Sequence, residues 1–318
     1  MAEFTWTFDA PTGTYKQSAL SQQLYYAALE RTVFMEHVST VEGYGRKMGE
    51  NVTLTRVRTV TEPTSATLTE GIRIPEDTFR LSTRTISPTE IGRSIPFTSL
   101  SEDFSRFDIE NNIQRRLRDQ MELVLDTMAS TAFRAAQIKY TPRGAASGNF
   151  DTGGTVTTSA LANWGVYHCE RVRDYMFDTL QAPGYDGGSE YVGIFRALGI
   201  RGLKSDPDWE QWHVYTDPQA KFNSEVGKIE QIRHVETNHN NALSTAMGTG
   251  GVLGEGVVFG DDAVALAEVL TPELRAQTNV GQDFGRANAV AWYGIIAFAA
   301  VWDTANAGEA RIVHVTST

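Results

Sequence analysis

From Phe97 to Tyr140 the chain reads FTSLSEDFSRFDIENNIQRRLRDQMELVLDTMASTAFRAAQIKY, which is 44 residues without a glycine or a proline. The chain has 28 glycines and 10 prolines, so an uninterrupted run of this length indicates a single long helix. If about 33 residues from Asp108 onward are helical, the helix is roughly 50 Å long. We therefore expect it to need an elongated body or neighbouring subunits beside it.

The predicted helix has two different faces. Apolar side chains return three or four positions apart, as they do on the buried face of a helix. Charged side chains occupy the opposite face, which we expect to be exposed. The apolar positions are Phe104, Ile109, Ile113, Leu117, Met121, Val124, Met128 and Ala132, and the charged ones are Glu110, Arg115, Arg116, Arg118, Asp119, Glu122 and Asp126.

Composition excludes some classes of protein. The 28 basic and 39 acidic residues give a net charge of −11, which disfavours a general coat on nucleic acid. The single cysteine, Cys169, excludes an internal disulfide and fits a reducing compartment. Residues 1–17 lack the basic and apolar segments of a secretory signal. The length of 318 residues suggests about two domains.

The segments before the long run predict an arm, a helix and a hairpin. Residues 1–17 are polar and contain a proline and a glycine, which is typical of an extended arm. Apolar residues at helical spacing then cover Ser18–Val38. From Asn51 to Phe97 the period changes to two, which predicts strands. Thr61–Arg93 holds few large apolar residues, so we expect a projecting hairpin that rests on its own body or on another chain.

The segments after the run predict a mixed α/β region and a strand-rich end. Residues 287–302 form an uncharged segment, but the segment is shorter than the roughly 20 residues that a membrane span needs. It therefore predicts a strand pair or one long strand. The predicted helices are Ser159–Leu180, Arg196–Lys204 and Asp261–Leu270. The predicted strands are Tyr191–Phe195, Gly227–Thr237, Gly256–Phe259, Glu273–Asn279, Asn288–Trp302 and Ala310–Thr316, and Asn238–Gly254 is predicted to be a loop.

Two groups of residues resemble ligand sites. Gly248–Gly254 (GTGGVLG) has the glycines of a phosphate-binding loop, but a strand rather than a helix is predicted after it. His234, Glu236 and His239 have metal-ligand chemistry, but their spacing is wrong for a helical histidine pair. For the glycine-rich segment we favour a polar loop. For the two histidines and the glutamate we favour ordinary strand and turn residues.

Other polar residues have structural explanations as well. His168 and Cys169 could imitate a base and a thiol nucleophile, but adjacent helical side chains diverge by about 100°. The remaining candidates are turn or cap carboxylates, Asp206, Asp208, Asp261 and Asp262, and aromatic residues beside prolines, Trp209, Trp212 and Tyr215. We therefore predict no catalytic, cofactor-binding or metal-binding residue.

Three segments resemble a known family. They are Leu68-Thr-Glu-Gly71, the stretch Gly227–Thr237 (GKIEQIRHVET), and Asp283–Gly294 (DFGRANAVAWYG) with the closing Ala310–Val315 (ARIVHV). Together with the order of arm, β loop and long charged helix, they resemble the major capsid proteins of tailed bacteriophages, and within these the coat proteins of certain podophages. The resemblance covers about residues 40–318.

The resemblance implies an α+β chain with the HK97-like fold. It implies an N-terminal arm and helix at 1–47, an extended E-loop at 48–97, a peripheral P-domain at 98–154 and 266–318 with a spine helix, and an axial A-domain at 155–265. Such a chain assembles with itself into hexamers and pentamers of an icosahedral head that encloses double-stranded DNA, in the virion and with no membrane. The other implied partners are a scaffolding protein and a portal, with a decoration protein as an optional one.

Two expectations concern contacts between subunits. We predict that they involve charged side chains, namely Glu70, Arg73, Arg80, Arg84, Arg115, Arg116 and Glu122. Some members of the fold crosslink through a lysine of the E-loop, but no lysine lies between Lys47 and Lys139 here, so we expect a non-covalent shell. The alternatives left open are a hydrolase or sugar-active enzyme that uses Asp206/Asp208 and Trp209/Trp212, and another virion component such as a tail or decoration protein.

Overall fold

The fold is described from a computed structural model. It covers residues 29–41, 43–60, 62–105, 107–185, 188, 190–208, 225–244, 248–278 and 286–317. The predicted arm at 1–17 and most of the predicted helix Ser18–Val38 lie outside these residues. Where that helix is described, the prediction is wrong, because residues 29–33 are irregular and Phe34–His37 form a single 3₁₀ turn.

The described part of the chain contains helices and three β-sheets. The helices are α1 (Ser99–Phe104), α2 (Ile109–Arg134), α3 (Val166–Asp174) and α4 (Arg201–Lys204). The strands are β1 (Ser39–Thr40), β2 (Val52–Val57), β3 (Leu81–Ile86), β4 (Thr89–Thr98), β5 (Ile138–Gly144), β6 (Ser147–Asp151), β7 (Tyr191–Arg196), β8 (Glu225–Ile229), β9 (Ile232–Thr237), β10 (Gly256–Phe259), β11 (Val264–Gln277), β12 (Ala287–Ala300) and β13 (Ile312–Val315).

The long helix exists but is shorter than predicted. It begins at Ile109, where the side chain of Asp108 accepts a hydrogen bond from the backbone N–H of Asn111. It ends at Arg134 after 26 residues, or about 39 Å. The expected extension to Tyr140 is wrong, because residues from Ile138 onward pair in parallel with β13 as strand β5.

A four-stranded sheet carries the first half of α2. Its strand order is β1-β11-β12-β4, and β12 is the single long strand that was one of the two alternatives for Ala287–Trp302. Leu117 of α2 is buried against Val290 and Trp292 of β12. The predicted helix Asp261–Leu270 is wrong, because Val264–Gln277 pairs along β12 as strand β11.

A seven-stranded sheet forms the second body of the fold. Its strand order is β6-β5-β13-β10-β7-β9-β8. One face packs on α3, and the other packs on the end of α2 and on Phe34. Segments 98–154 and 266–318 thus contribute strands to the same sheet as residues 191–259, and the proposed division into P- and A-domains stays a prediction.

Three predictions in this region need correction. Gly227–Thr237 is the turn and both arms of a hairpin, β8 and β9, and not one strand; Glu230 and Gln231 form the turn with positive φ angles of 47° and 61°. The helix Ser159–Leu180 starts only at Val166 and ends in a π-helical turn, Tyr175–Thr179. The helix Arg196–Lys204 shrinks to α4, because Arg196 still belongs to β7.

The predicted hairpin is a separate two-stranded sheet. Strands β2 and β3 pair antiparallel, with Val52 opposite Ile86 and Val57 opposite Leu81. Residues 58–80, which join the strands, contain neither helix nor strand where they are described, and their side chains beyond Val57 are exposed almost throughout. This connection therefore reaches away from the rest of the subunit.

Candidate assembly surfaces

The base of the hairpin is held by one carboxylate. Asp303 follows the end of β12 and binds an arginine from each hairpin strand. Its Oδ1 is 2.6 Å from Nη1 of Arg56 on β2, and its Oδ2 is 2.8 Å from Nη1 of Arg84 on β3. These ion pairs and a hydrogen bond from Arg56 lower the pKa of the Asp303 carboxyl. We call this set of three side chains the hairpin clamp.

Beyond the clamp, the connection between β2 and β3 exposes apolar side chains. The exposed fractions of Leu68, Ile72, Ile74 and Phe79 are 58%, 69%, 65% and 65%. Single exposed apolar residues are ordinary, but four within twelve positions on a segment without its own core indicate a contact surface. Charged residues Glu70, Arg73 and Arg80 are exposed on the same segment.

The other predicted contact residues occupy different places. Arg84 is bound within its own subunit by the hairpin clamp. On the outer side of α2, Arg115 is exposed, Arg116 pairs with Asp119 at 3.1 Å, and Glu122 is half-buried. Together with Arg118, these residues form a charged strip on the first half of α2. The predicted residues thus fall into a hairpin group and a helix group.

A buried carboxylate ties the N-terminal segment to α2. Asp126 accepts hydrogen bonds from the backbone N–H groups of Val33 and Phe34 at 3.0 and 2.8 Å. Its second oxygen accepts a hydrogen bond from Nδ1 of His239 at 2.8 Å, and both side chains are almost fully buried. The expectation that Asp126 lies on the exposed charged face of the helix is therefore wrong. Asp126 is buried and holds residues 33–34 in place.

The loop after β9 extends the same attachment. Glu30 accepts hydrogen bonds from the backbone and side-chain nitrogens of Asn240, and the backbone N–H of Arg31 donates to Asn238. Oγ1 of Thr237 donates to the carbonyl of Arg31. The chain from residue 30 to 34 is therefore fixed to both the sheet and the long helix.

A second buried polar network joins the end of α2 to the sheet. Glu255 accepts hydrogen bonds from Nε of Arg134 at 2.6 Å and from Nε2 of His314 at 2.5 Å. His314 in turn accepts a hydrogen bond at Nδ1 from Nζ of Lys139 at 2.9 Å. The network thus links α2, β5, β13 and the segment before β10.

Burial and hydrogen bonding shift the pKa values of this network. Burial alone would raise the pKa of Glu255, but the hydrogen bond and charge of His314, the backbone N–H of Ser244 and Arg134 outweigh it and lower the pKa to about 2. Burial lowers the pKa of Lys139 to about 8, against the opposing charge of Glu255. Burial also lowers the pKa of His314, against the opposing effect of its hydrogen bond to Glu255.

An open groove lies between the second half of α2 and β12. Its volume is about 390 Å³, and most of its walls are small side chains. At one end it reaches Arg84 and Asp303 of the hairpin clamp. The lining on α2 consists of Thr127, Met128, Thr131 and Ala132, with Ala135 just after its end, and the lining on β12 consists of Ala297, Phe298, Ala299 and Ala300.

The structure separates His234 from His239, which binds Asp126, and it places Cys169 beside His234 rather than beside His168. His234 is fully buried, with Nε2 3.3 Å from the Trp164 indole nitrogen and 3.5 Å from Sγ of Cys169, and burial lowers its pKa to about 3. His168 points elsewhere, to the hydroxyl of Tyr140 at 2.8 Å. Burial raises the pKa of the Cys169 thiol, so the cysteine is a packed, protonated side chain.

The remaining chemical candidates have structural contacts. Asp206 accepts a hydrogen bond from the backbone N–H of Val166 at the start of α3, and Asp262 pairs with Arg311. Gly248–Gly254 precedes strand β10, without a helix after it. Within the described ranges, no group of three or more histidine, cysteine or acidic residues could hold a metal ion, and no helix has the length and hydropathy for a membrane span. Trp209, Trp212 and Tyr215 lie outside the described residues.

Sequence reasoning missed Asp126, Asp303 and Glu255. Asp303 lies just past the long apolar strand, which offers no local reason to single it out. Asp126 carried a weak signal, since it lies one turn before Ser130 and two turns before Phe133 on a face that becomes apolar toward the end of the helix. Each of these carboxylates is recognised only through partners that are distant in the chain.

Comparison with known proteins agrees with this architecture. No family model and no curated protein matches the chain by sequence. The chain is similar in structure to the capsid of the cyanophage P-SCSP1u, with a TM-score of 0.67, 11% identity and coverage of 95% of this chain and 93% of that one. The capsid of Ralstonia phage GP4 is similar with a TM-score of 0.65 and 16% identity, and the match covers 99% of this chain and 97% of that one. The head of the Helicobacter pylori bacteriophage KHP40 is similar with a TM-score of 0.68 and 11% identity, and the match covers 99% of both chains. The expected α+β architecture is confirmed, and the chain has the HK97-like fold of the major capsid proteins of tailed phages.

Proposed function

We propose that the chain is the major capsid protein of a tailed bacteriophage. In this role it assembles with itself into the hexamers and pentamers of an icosahedral head. The hairpin is the observation that carries this proposal. Ion pairs hold its base to the subunit, and apolar side chains are exposed on the connection beyond the base. The similarity of nearly the whole chain to phage capsid structures supports the same role.

The hairpin suits contact with a second copy of the chain. Residues 62–80 include Leu68, Ile72 and Ile74, which stay in water when the subunit is alone. Burying an apolar side chain of this size stabilises a contact by roughly 1.5–3 kcal/mol. A shell repeats such a contact many times, so modest individual contacts give a stable particle.

The proposed layout follows the family division. Residues 1–47 are the arm and first segment, 48–97 the E-loop, 98–154 with 266–318 the P-domain, and 155–265 the A-domain. Contacts between subunits would involve the hairpin group, Glu70, Arg73 and Arg80, and the helix group, Arg115, Arg116 and Glu122. Arg84 acts within its own subunit through the clamp and supports the hairpin indirectly.

The net charge of −11 fits a container for double-stranded DNA, because an acidic shell encloses the polymer without binding it tightly. The site of action would be the virion, after assembly in the host cytoplasm. A scaffolding protein and a portal are the further partners that we propose, with a decoration protein as an optional one. The role requires no enzyme activity and no cofactor.

Electron microscopy and sedimentation of the purified chain test the proposal. We expect hollow shells or capsomers, with shells appearing when a scaffolding protein is co-expressed. The double variant Ile72→Asp/Ile74→Asp should leave folded subunits that no longer assemble, whereas Ile72→Val/Ile74→Val should assemble normally. A monodisperse monomer with hydrolase or glycosidase activity would refute the proposal, as would tail-like tubes or binding only to preformed shells.

A further inference from the structure

We infer that Asp303 is a lock that sets the direction in which the hairpin projects from its own subunit. The hairpin is a two-stranded sheet of its own, and it shares no ladder with either larger sheet. Apart from the two-residue connection between Ile86 of β3 and Thr89 of β4, its direction is therefore set by side-chain contacts. Among the residues that the structure describes, Asp303 is the one that forms ion pairs with both strands, through Arg56 on β2 and Arg84 on β3.

One face of the hairpin is turned toward the body. Along β2 the residues alternate, so that Val52, Leu54 and Arg56 are more buried than their neighbours. On β3, Arg84 lies opposite Leu54 and Ile86 lies opposite Val52, on the same face. Both clamp arginines therefore point from adjacent strands toward the same carboxylate.

Apolar packing alone would leave the hairpin free to tilt. Near its base, Ile86 is buried against Ala265 and Ala267 of β11, and partly buried apolar side chains, Val41, Tyr44, Val52, Leu54 and Val301 among them, pack against this cluster. Apolar contacts of this kind stabilise the base but are non-directional. Guanidinium–carboxylate pairs, in contrast, require a fixed geometry, so the clamp supplies the direction that the apolar base lacks.

Arg56 is the deeper half of the clamp. Its side chain is only 7% exposed, and its guanidinium lies 5.0 Å from the centre of the Trp302 ring. It also donates a hydrogen bond to the carbonyl of Val301 at 3.1 Å. A buried guanidinium without its carboxylate is strongly unfavourable, so loss of the Asp303 charge would drive Arg56 out toward water and loosen β2.

A further pair lies next to the clamp. Nε of Arg58 is 3.3 Å from Oε1 of Glu309. Glu309 is held in turn by Oγ1 of Thr304 and Nδ2 of Asn306. Arg58 directly follows β2, so its pair with Glu309 restrains only that strand. Asp303, in contrast, binds both β2 and β3.

A small change of angle at the clamp has a large effect at the tip. Residues 58–70 span at most about 40 Å when extended, so a tilt of about 10° displaces the far end by up to about 7 Å. That distance exceeds the range of an apolar contact. If the proposed function is right, the lock determines whether the exposed residues of the hairpin meet their site on a neighbouring subunit.

Distance measurements between spin labels on the unassembled full-length chain test the lock. One label is placed at Thr64→Cys on the hairpin and one at Arg118→Cys on α2, and the native Cys169 is fully buried and so stays unlabelled. We expect Asp303→Asn to widen the distance distribution at least twofold, and Asp303→Glu, which keeps the carboxylate, to widen it less. Glu76→Gln is the matched control, because it removes the Arg73–Glu76 pair on the hairpin without touching the body.

A distribution as narrow in Asp303→Asn as in the unmutated chain would overturn the inference. Arg84→Met provides an independent test should Asp303→Asn fail to fold, because Arg84 is partly exposed and its removal leaves no buried charge; it should also widen the distribution. Assembly is measured separately by electron microscopy. Failure of the unmutated chain to form either capsomers or shells would count against the proposed function, while the label distances would still decide whether Asp303 is a lock.

Discussion

Nδ1 of His239 lies 2.8 Å from Oδ2 of Asp126, and the two residues are 113 positions apart in the chain. The other oxygen of the same carboxylate accepts two backbone hydrogen bonds from residues 33 and 34. One buried side chain thus joins the N-terminal segment, the long helix and the loop after β9. Its removal would leave three donors without an acceptor in a region that water does not reach.

Asp126→Ala should therefore lower the free energy of unfolding by about 3 kcal/mol. The loss of the carboxylate also frees the segment at 30–34, so hydrogen exchange at Val33 and Phe34 should accelerate more than exchange in β12. Urea unfolding followed by tryptophan fluorescence measures the first effect, and exchange mass spectrometry the second. Asp119→Ala is the control, because its pair with Arg116 is at the surface and should contribute less than about 1 kcal/mol. Equal effects of the two substitutions would contradict this account.

The stability that Glu255 contributes to the folded protein should be lost in acid. Its pKa in the folded state is about 2, below its ordinary value of 4.5, so between these values the unfolded chain binds a proton that the folded chain does not. Its contribution is complete above pH 4.5 and is lost as the pH falls toward 2. Glu255→Gln should be less stable at pH 7 and should show a shallower decline in this window, as measured by chemical denaturation at a series of pH values. Parallel curves for the two proteins would exclude Glu255 as the source.

Reversing the charge of the strip on α2 should impair assembly more than folding. Arg115 is exposed and Arg116 is partly exposed, so Arg115→Glu/Arg116→Glu should change the free energy of unfolding by less than about 1 kcal/mol. Shell formation, scored by sedimentation, should fall at least tenfold. Arg115→Lys/Arg116→Lys keeps the charge and should assemble. Normal shells from the glutamate variant would remove this strip from the proposed contacts.

Particles should contain no covalent links between subunits. The hairpin offers no amine, because Lys47 and Lys139 are the lysines that bracket it in the sequence. Mature particles boiled in detergent should therefore run on a gel as monomers. A ladder of higher bands that persists under reducing conditions would show that another pair of groups forms crosslinks.

Local periodicity was enough to predict several elements. The run without glycine or proline predicted α2, and its start at Asp108 agrees with the capping hydrogen bond to Asn111. Alternation predicted the hairpin strands and β10, and the apolar run at 287–302 gave β12 as one of two alternatives. In each case neighbours in sequence carry the information, because side-chain spacing and capping act within a few residues.

Periodicity failed where distant segments compete for the same residues. Val264–Leu270 has a composition that a helix tolerates, but pairing with β12 makes it a strand. Tyr140 continues the helical pattern of α2, but β13 supplies a strand partner from the far end of the chain. Strand pairing satisfies the backbone of a segment through a partner that its own sequence does not reveal.

The sequence by itself determined that this chain has a long charged helix, a hairpin too polar to form a core, and an acidic balance. Those properties depend on residue type and short-range spacing alone. The tertiary structure decided which charged side chains are buried or paired across the fold and which lie exposed on the surface. Asp126 became an internal anchor and Arg84 part of the hairpin clamp, whereas Arg115 stayed exposed. The physical reason is that an ion pair forms only where the fold brings its two groups within about 4 Å, and Arg84 and Asp303 are 219 residues apart in the chain.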